Sequence, residues 1–202
     1  TWEPEKHPYL TEIIDSDTLS CVPDLSKEEN ARQWILSKPD VFCNTQNKNI
    51  LSNVLNDYDQ ETHDFFRWQV SYTPEELSTL IYSRIGIDFG NLQAIEPIER
   101  GTSGRIIKLR ISGSKRSMII GKELVIRKAF STTHLYSSAF IVDTEKNSSG
   151  NIVRFILKGA GWGHGVGLCQ IGAAVMSTKG YDYKKILAHY FPNTQIKAFY
   201  DL

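Results

Sequence analysis

An excess of charge of either sign is missing from this chain. Its 202 residues carry 23 Lys and Arg against 23 Asp and Glu, so no basic field argues for nucleic acid. No apolar run approaches the length needed to span a bilayer, and no signal peptide opens the sequence. The first residue is Thr1 rather than Met, which reads as a processed or truncated chain; a secretion signal could have been lost with the missing part, so its absence says nothing about location. Cysteine is scarce. Cys21, Cys43 and Cys169 are odd in number and far apart, allow at most one disulfide, and offer no Cys-x-x-Cys zinc spacing. Cys21 paired with Cys43 in an oxidising compartment is one reading, and buried or half-buried thiols the other. His7, His63, His134 and His189 share no ligand spacing with each other or with the cysteines. They read as solvated or capping histidines, and neither a metal nor a cofactor is expected.

What is present suits a globular protein: 41% apolar and 23% charged residues, in a length that fits one domain, residues 1–202, with a surface insertion at 26–62. Residues 1–24 are interrupted by Pro4, Pro8 and Pro23, with Trp2, Tyr9, Leu10, Ile13 and Ile14 as apolar anchors. Ser26 and Glu29 suggest a capping box for a helix to about Ser37. Residues 38–62 are polar and Asn-rich, a surface excursion with a short helix near Ile50–Leu55. Phe65–Tyr72 reads as a strand. Thr73-Pro-Glu-Glu76 starts a helix whose stripe is Leu77, Leu80, Ile81 and Ile85, stopped by Gly86. After a short strand at 92–98, Arg105–Ile111 alternates, with Ile107, Leu109 and Ile111 on one face, and pairs with Arg116–Ile120. Gly121–Phe130 is a helix with Leu124, Val125, Ala129 and Phe130 inward. Strands at 139–143 and 152–158 flank a turn at 147–150. A last helix, Tyr183–Tyr190, precedes Pro192, and Ile196–Tyr200 can close a sheet. The pattern is α+β: a mixed, mainly antiparallel sheet, several short helices, and a glycine-rich strand-loop-helix near the C-terminus.

That last stretch, Gly159–Gly172, holds six of the fourteen glycines, five of them at every second position. Such density needs either backbone with φ > 0 or close approach of backbone to something else. Trp162 and His164 alternate with the glycines and would share one face of an extended segment. Beyond Gly167 the spacing of Leu168, Ile171, Gly172 and Val175 becomes helical. A helix start there exposes N–H groups suited to an anion or a polar sugar group. His164, framed by Gly163 and Gly165, is a substrate hydrogen-bond donor or proton shuttle, or else a structural tie between the loop and a strand. Cys169 is a conceivable nucleophile with His164, or a packed helix position. Gln170 either pins the loop or contacts sugar. Trp162, Tyr9, Trp68 and Tyr72 either stack on sugar rings or pack in the ordinary way.

The run Gly161-Trp-Gly-His-Gly-Val-Gly-Leu-Cys-Gln-Ile-Gly-Ala173 resembles the signature of the SpoIID/LytB family, departing from its usual Met and Ser at Leu168 and Cys169. Leu135-Tyr-Ser-Ser-Ala-Phe140 is similar to the family's Leu-x-Ser-Thr-x-Phe, and Trp2 with Pro8-Tyr9-Leu10 to the segment after its Cys-Gly-Gly element. The resemblance is to the C-terminal portion of the family. It implies peptidoglycan glycan strands as partner, in the cell envelope or outside the cell. Enzymatic members are lytic transglycosylases that cut between N-acetylmuramic acid and N-acetylglucosamine and leave 1,6-anhydro ends, a glutamate serving as acid and then base. That glutamate belongs to a motif ahead of the Cys-Gly-Gly element, and no glutamate here matches it. The catalytic group is therefore unassigned, and His164, Gly163, Gly165, Trp162, Gln170 and Tyr9 are expected to bind substrate. The alternative that the family implies is a noncatalytic module that enhances a cell-wall amidase.

Overall fold

The computed structural model describes residues 7–54 and 65–197. In chain order these form α1 (Glu28–Leu36), α2 (Lys48–Val54), β1 (Arg67–Tyr72), α3 (Pro74–Ile85), β2 (Leu92–Arg100), β3 (Ile106–Gly113), β4 (Ser117–Gly121), α4 (Glu123–Ala129), β5 (Phe140–Lys146), β6 (Ile152–Ala160), α5 (Gln170–Thr178) and α6 (Tyr183–Tyr190). The strands make two antiparallel three-stranded sheets, in the orders β1-β6-β5 and β2-β3-β4. The fold is α+β. Among the described residues no helix is long and apolar enough to cross a membrane.

The chain divides into two compact units. The first to be described, Pro23–Lys38 with Asp64–His164, contains both sheets and α1, α3 and α4. Its helix starts follow side-chain chemistry. At α3 the Thr73 hydroxyl accepts from Glu76 N at 3.2 Å, and Glu76 Oε2 accepts from Thr73 N at 2.8 Å. Pro74 occupies the first turn, and Gly86 closes the helix at φ 72° with its N–H on Tyr82. The reciprocal bonds satisfy donors that the first turn leaves open. The capping box expected at Ser26 does not form. Asp24 captures both the amide and the hydroxyl of Ser26, so α1 starts one residue later than expected, at Glu28, behind an uncapped Lys27. A local turn around an Asp competes with the cap for the same donors.

Two core faces differ from expectation. On β3, Ile106 is buried and Ile107 is 41% exposed. Arg100 pairs with Ile106 and Glu99 with Lys108, so Ile107 is an extra residue in the ladder. A bulge of this kind reverses the alternation on one side of it, which leaves Leu109 and Ile111 inward as anticipated. On α4 the inward positions are Ile126 and Ala129, with Phe130 after them, while Val125 is exposed. Around these gather Leu77, Ile81, Phe89, Phe140, Phe155 and Leu157, all buried.

The other unit comprises Thr1–Val22, Pro39–His63 and Gly165–Leu202, and so is assembled from three separate stretches of chain. Among its described residues α2, α5 and α6 supply the helices. Its buried core is small: Phe42, Met176 and Tyr190, with Ile13, Cys169, Ala173, Val175, Ile186 and Phe191 packed against it. Within 38–62, read as a polar surface excursion, Phe42 turns inward, its ring 4% exposed. A single inward residue outside any periodic run leaves no pattern to reveal it. Asp182 caps α6 by accepting from Lys185 N at 2.8 Å. Residues 196–197 form no strand. Trp2, Pro4, Leu55, His63 and residues 198–200 lie outside the described residues.

Candidate functional site

The glycine stretch is a strand and then a loop of left-handed turns. Strand β6 pairs with β1 through Trp68–Gly159 and Arg67–Ala160, and ends there. Gly161, Gly163, Gly165 and Gly167 then take φ values of 70°, 90°, 71° and 80°. Positive φ is thus the reason for these four glycines. It also overturns the extended segment on which Trp162 and His164 were to share a face, since alternate left-handed residues break the pleat.

In the sheet-bearing unit, Gly161–His164 is held by its backbone. Gly161 N donates to Phe66 O at 3.0 Å, and Gly163 N donates to Tyr136 O at 2.7 Å. The Trp68 indole donates to Gly161 O at 3.0 Å. The Arg105 guanidinium donates to Gly163 O through Nε and Nη2, at 3.4 and 3.3 Å. These four tethered groups are all main chain. Trp162 is 41% exposed, with its ring centroid 4.7 Å from Tyr136 and 5.1 Å from Phe65. Such tilted aromatic contacts fix a ring without covering it. His164 is exposed. A Cβ built on Gly163 would meet nothing within 4 Å, so the backbone there is open to a ligand.

Gly165, Gln170 and Tyr9 belong to the three-segment unit. Gln170 is exposed at the first turn of α5. Tyr9, 38% exposed, stacks on His7 with centroids 5.3 Å apart. Of the other aromatic candidates, Trp68 is buried in the core, and Tyr72 donates its hydroxyl to Phe130 O at 2.8 Å. Burial raises the Tyr72 phenol. Both are packing residues, as half of the sequence reading allowed.

The three-segment unit contains a cluster that spacing did not reveal. Cys169 is the N-cap of α5, where its Sγ accepts from Gly172 N at 3.4 Å. A hydrogen bond from the Cys43 thiol lowers the Cys169 thiol. Burial opposes this, the Gly172 N–H adds to it, and the Asp15 carboxylate pushes the other way. All three cysteines are thiols, and the partner of Cys43 is Cys169 rather than Cys21. Asp15 Oδ1 accepts from the Tyr190 hydroxyl at 2.8 Å and lies 3.1 Å from His189 Nε2. Burial and the Asp15 charge raise the Tyr190 phenol far above its ordinary value. His189 is therefore a half-buried partner of Asp15, not a solvated or capping histidine. It also lines a cleft of about 420 Å³ with Phe42, Tyr181 and Lys185.

The sequence reading missed Phe65, Tyr136 and Arg105 as supports of the loop, and Asp15, Tyr190 and His189 as neighbours of the thiols. Tyr136 was within reach, inside the quoted Leu135–Phe140 motif. Asp15 and Cys43 meet because Phe42 N donates to Asp15 O at 2.8 Å, a bond between residues distant in sequence that no local pattern announces.

No curated protein matches this chain. The profile of a protein family described as Domain of unknown function (DUF8618) matches residues 1–167, and the chain belongs to that family.

Proposed function

We propose that Gly161–His164 is a sugar-binding lip, and that the chain is part of a peptidoglycan-remodelling protein of the cell envelope or cell exterior, similar to the SpoIID/LytB lytic transglycosylases. The observation that carries this reading is Trp162: an aromatic ring 41% exposed and braced by two others, next to glycine backbone with open space over it. The C–H faces of a pyranose suit such a ring, and the side-chain-free backbone beside it leaves room for the sugar to approach. His164, exposed on the same loop, donates to or accepts from sugar hydroxyls. Specificity for the bond between N-acetylmuramic acid and N-acetylglucosamine comes from the resemblance of the motif.

None of the chain's glutamates stands in the family's catalytic motif, so the lip is assigned the binding half of the reaction. That same observation favours a second reading, a noncatalytic module that binds glycan and enhances an N-acetylmuramoyl-L-alanine amidase.

The test is cosedimentation of the chain with purified sacculi, and with glycan strands freed of peptide. Binding should weaken on the order of tenfold in Trp162→Ala and measurably in His164→Ala, with both variants folded by circular dichroism. Equal binding by Trp162→Ala and the parent sinks the lip. Mass spectrometry of strand ends separates the two readings: new 1,6-anhydro ends mark transglycosylase action, whereas faster release of stem peptides by an added amidase marks the enhancer.

A further inference from the structure

From the geometry of the three-segment unit we infer that Asp15, Cys43 and Cys169 form a binding site for a thiophilic divalent cation, Zn²⁺, with solvent completing the coordination. One carboxylate oxygen and the two Sγ atoms all lie within 4.8 Å of one another. Zn–S bonds of about 2.3 Å and Zn–O bonds of about 2.0–2.2 Å put tetrahedral ligand atoms about 3.6–3.8 Å apart, so the cluster needs to close by at most about 1.2 Å. The donor set is chemically apt: two soft thiolates and one carboxylate select zinc over magnesium or calcium. On binding, both thiols release their protons to solvent, and the cation offsets two of the three negative charges that Asp15 and two thiolates would otherwise concentrate in a half-buried place.

The surroundings are those of a ligand set rather than of a chance contact. Tyr190 and His189 both hydrogen-bond the Asp15 carboxylate at the same oxygen, Oδ1. They orient the carboxylate and leave Oδ2 as the oxygen not taken by them, the arrangement in which outer partners aim a metal ligand. Gly172 contributes twice. Its N–H points at the Cys169 sulfur, a bond that stabilises thiolate. Its missing side chain is what allows the site to exist, because a Cβ there would run into the Tyr190 hydroxyl, Asp15 Oδ2 at 2.8 Å and Cys169 Cβ at 3.4 Å.

The site also has a structural consequence. Each ligand comes from a different one of the three chain segments that build the unit, and among the described residues the buried core between them is Phe42, Met176 and Tyr190. A cation bonded to all three closes two long loops at once, where core burial alone is meagre. A disulfide between Cys43 and Cys169 would join two of the segments but give no role to the clamped carboxylate, which is why the cation is the better account. The inference is independent of the glycan reading, whose lip belongs to the other unit.

The experiment is metal analysis of the untagged full chain purified under reducing conditions, followed by titration of the stripped chain with Co²⁺. Expected are stoichiometric zinc, a thiolate-to-cobalt charge-transfer band with tetrahedral ligand-field absorption, and a lower melting temperature after chelation that zinc restores. Cys43→Ser, Cys169→Ser and Asp15→Asn should each weaken binding by at least about tenfold. The parent chain's cobalt spectrum stands even if a variant fails to fold. A reduced chain that takes up neither metal overturns the site, as do a native Cys43–Cys169 disulfide mapped by mass spectrometry and undiminished binding in any of the three variants.

Discussion

Trp68 and Gly159 face each other across the β1–β6 ladder, and the indole of the first fills the space that a side chain on the second would need. The indole N–H continues to the Gly161 carbonyl at 3.0 Å. One tryptophan thereby sets where the strand ends and where the loop begins.

Gly159→Ala should therefore destabilise the sheet-bearing unit. The new methyl must displace a buried indole and its hydrogen bond, and overpacking of this kind costs about 1–3 kcal/mol. Urea denaturation checks it. An unchanged midpoint would mean that the indole can shift freely and does not define the start of the loop.

Gly163→Ala tests a different cause. Here φ is 90° and nothing lies within 4 Å of the added carbon, so the cost is backbone strain, roughly 1–2 kcal/mol. Asn tolerates left-handed backbone better than Ala, so Gly163→Asn should lose less stability than Gly163→Ala. The reverse order, measured by thermal melts, would point to crowding by neighbours instead of strain.

These two glycines show what the sequence could and could not disclose. Density of glycine announced an unusual backbone, and both offered reasons apply, but to different residues: close approach at 159, positive φ at 161 to 167. Only the partner across the ladder distinguishes them, and that partner is some ninety positions away. Local signals with local causes were legible. Thr73, Pro74, Glu76 and Gly86 fix α3 almost to the residue, since every interaction they make lies within the helix. Signals with a competitor nearby were not: Ser26 looked like a cap until Asp24 took its donors. The bulge at Ile107 was hidden for the same reason as the thiol cluster. Both depend on which distant backbone lies alongside, and hydrophobic alternation is silent about that.

Arg100 offers a test of polar burial in the core. Its side chain is 1% exposed and donates to Glu28, to Gly104 O at 2.7 Å and to Phe140 O at 2.8 Å. Arg100→Met keeps much of the volume but strips two carbonyls of a buried donor. Each orphaned group costs about 1–3 kcal/mol, so a loss of roughly 2–4 kcal/mol is expected in urea. Glu28 is half exposed, water can replace it, and Glu28→Gln should cost less than about 1 kcal/mol. Equal losses from the two variants would show that the ion pair, not the carbonyl contacts, carries the stability.

Asp143 predicts how stability depends on pH. Arg32 donates to its Oδ1 at 2.7 Å and Lys158 to its Oδ2 at 2.9 Å. Burial pushes the carboxyl up, but these two bonds outweigh it and hold it below the ordinary aspartate value. The sign follows from which state takes up the proton first. As pH falls, the unfolded chain protonates near the ordinary value of about 4, while the folded carboxylate resists until its lower value is reached. The contribution is therefore full above about pH 5 and vanishes as pH drops through the folded value. Because Arg32 is 41% exposed and Lys158 36%, solvent screens the pairs, and the gain is on the order of 1 kcal/mol. Asp143→Asn should be less stable than the parent at about pH 7, and the gap between their urea midpoints should narrow as pH falls below about 4. A gap of constant size across that range would assign the loss to the geometry of the amide and remove the charge from the account.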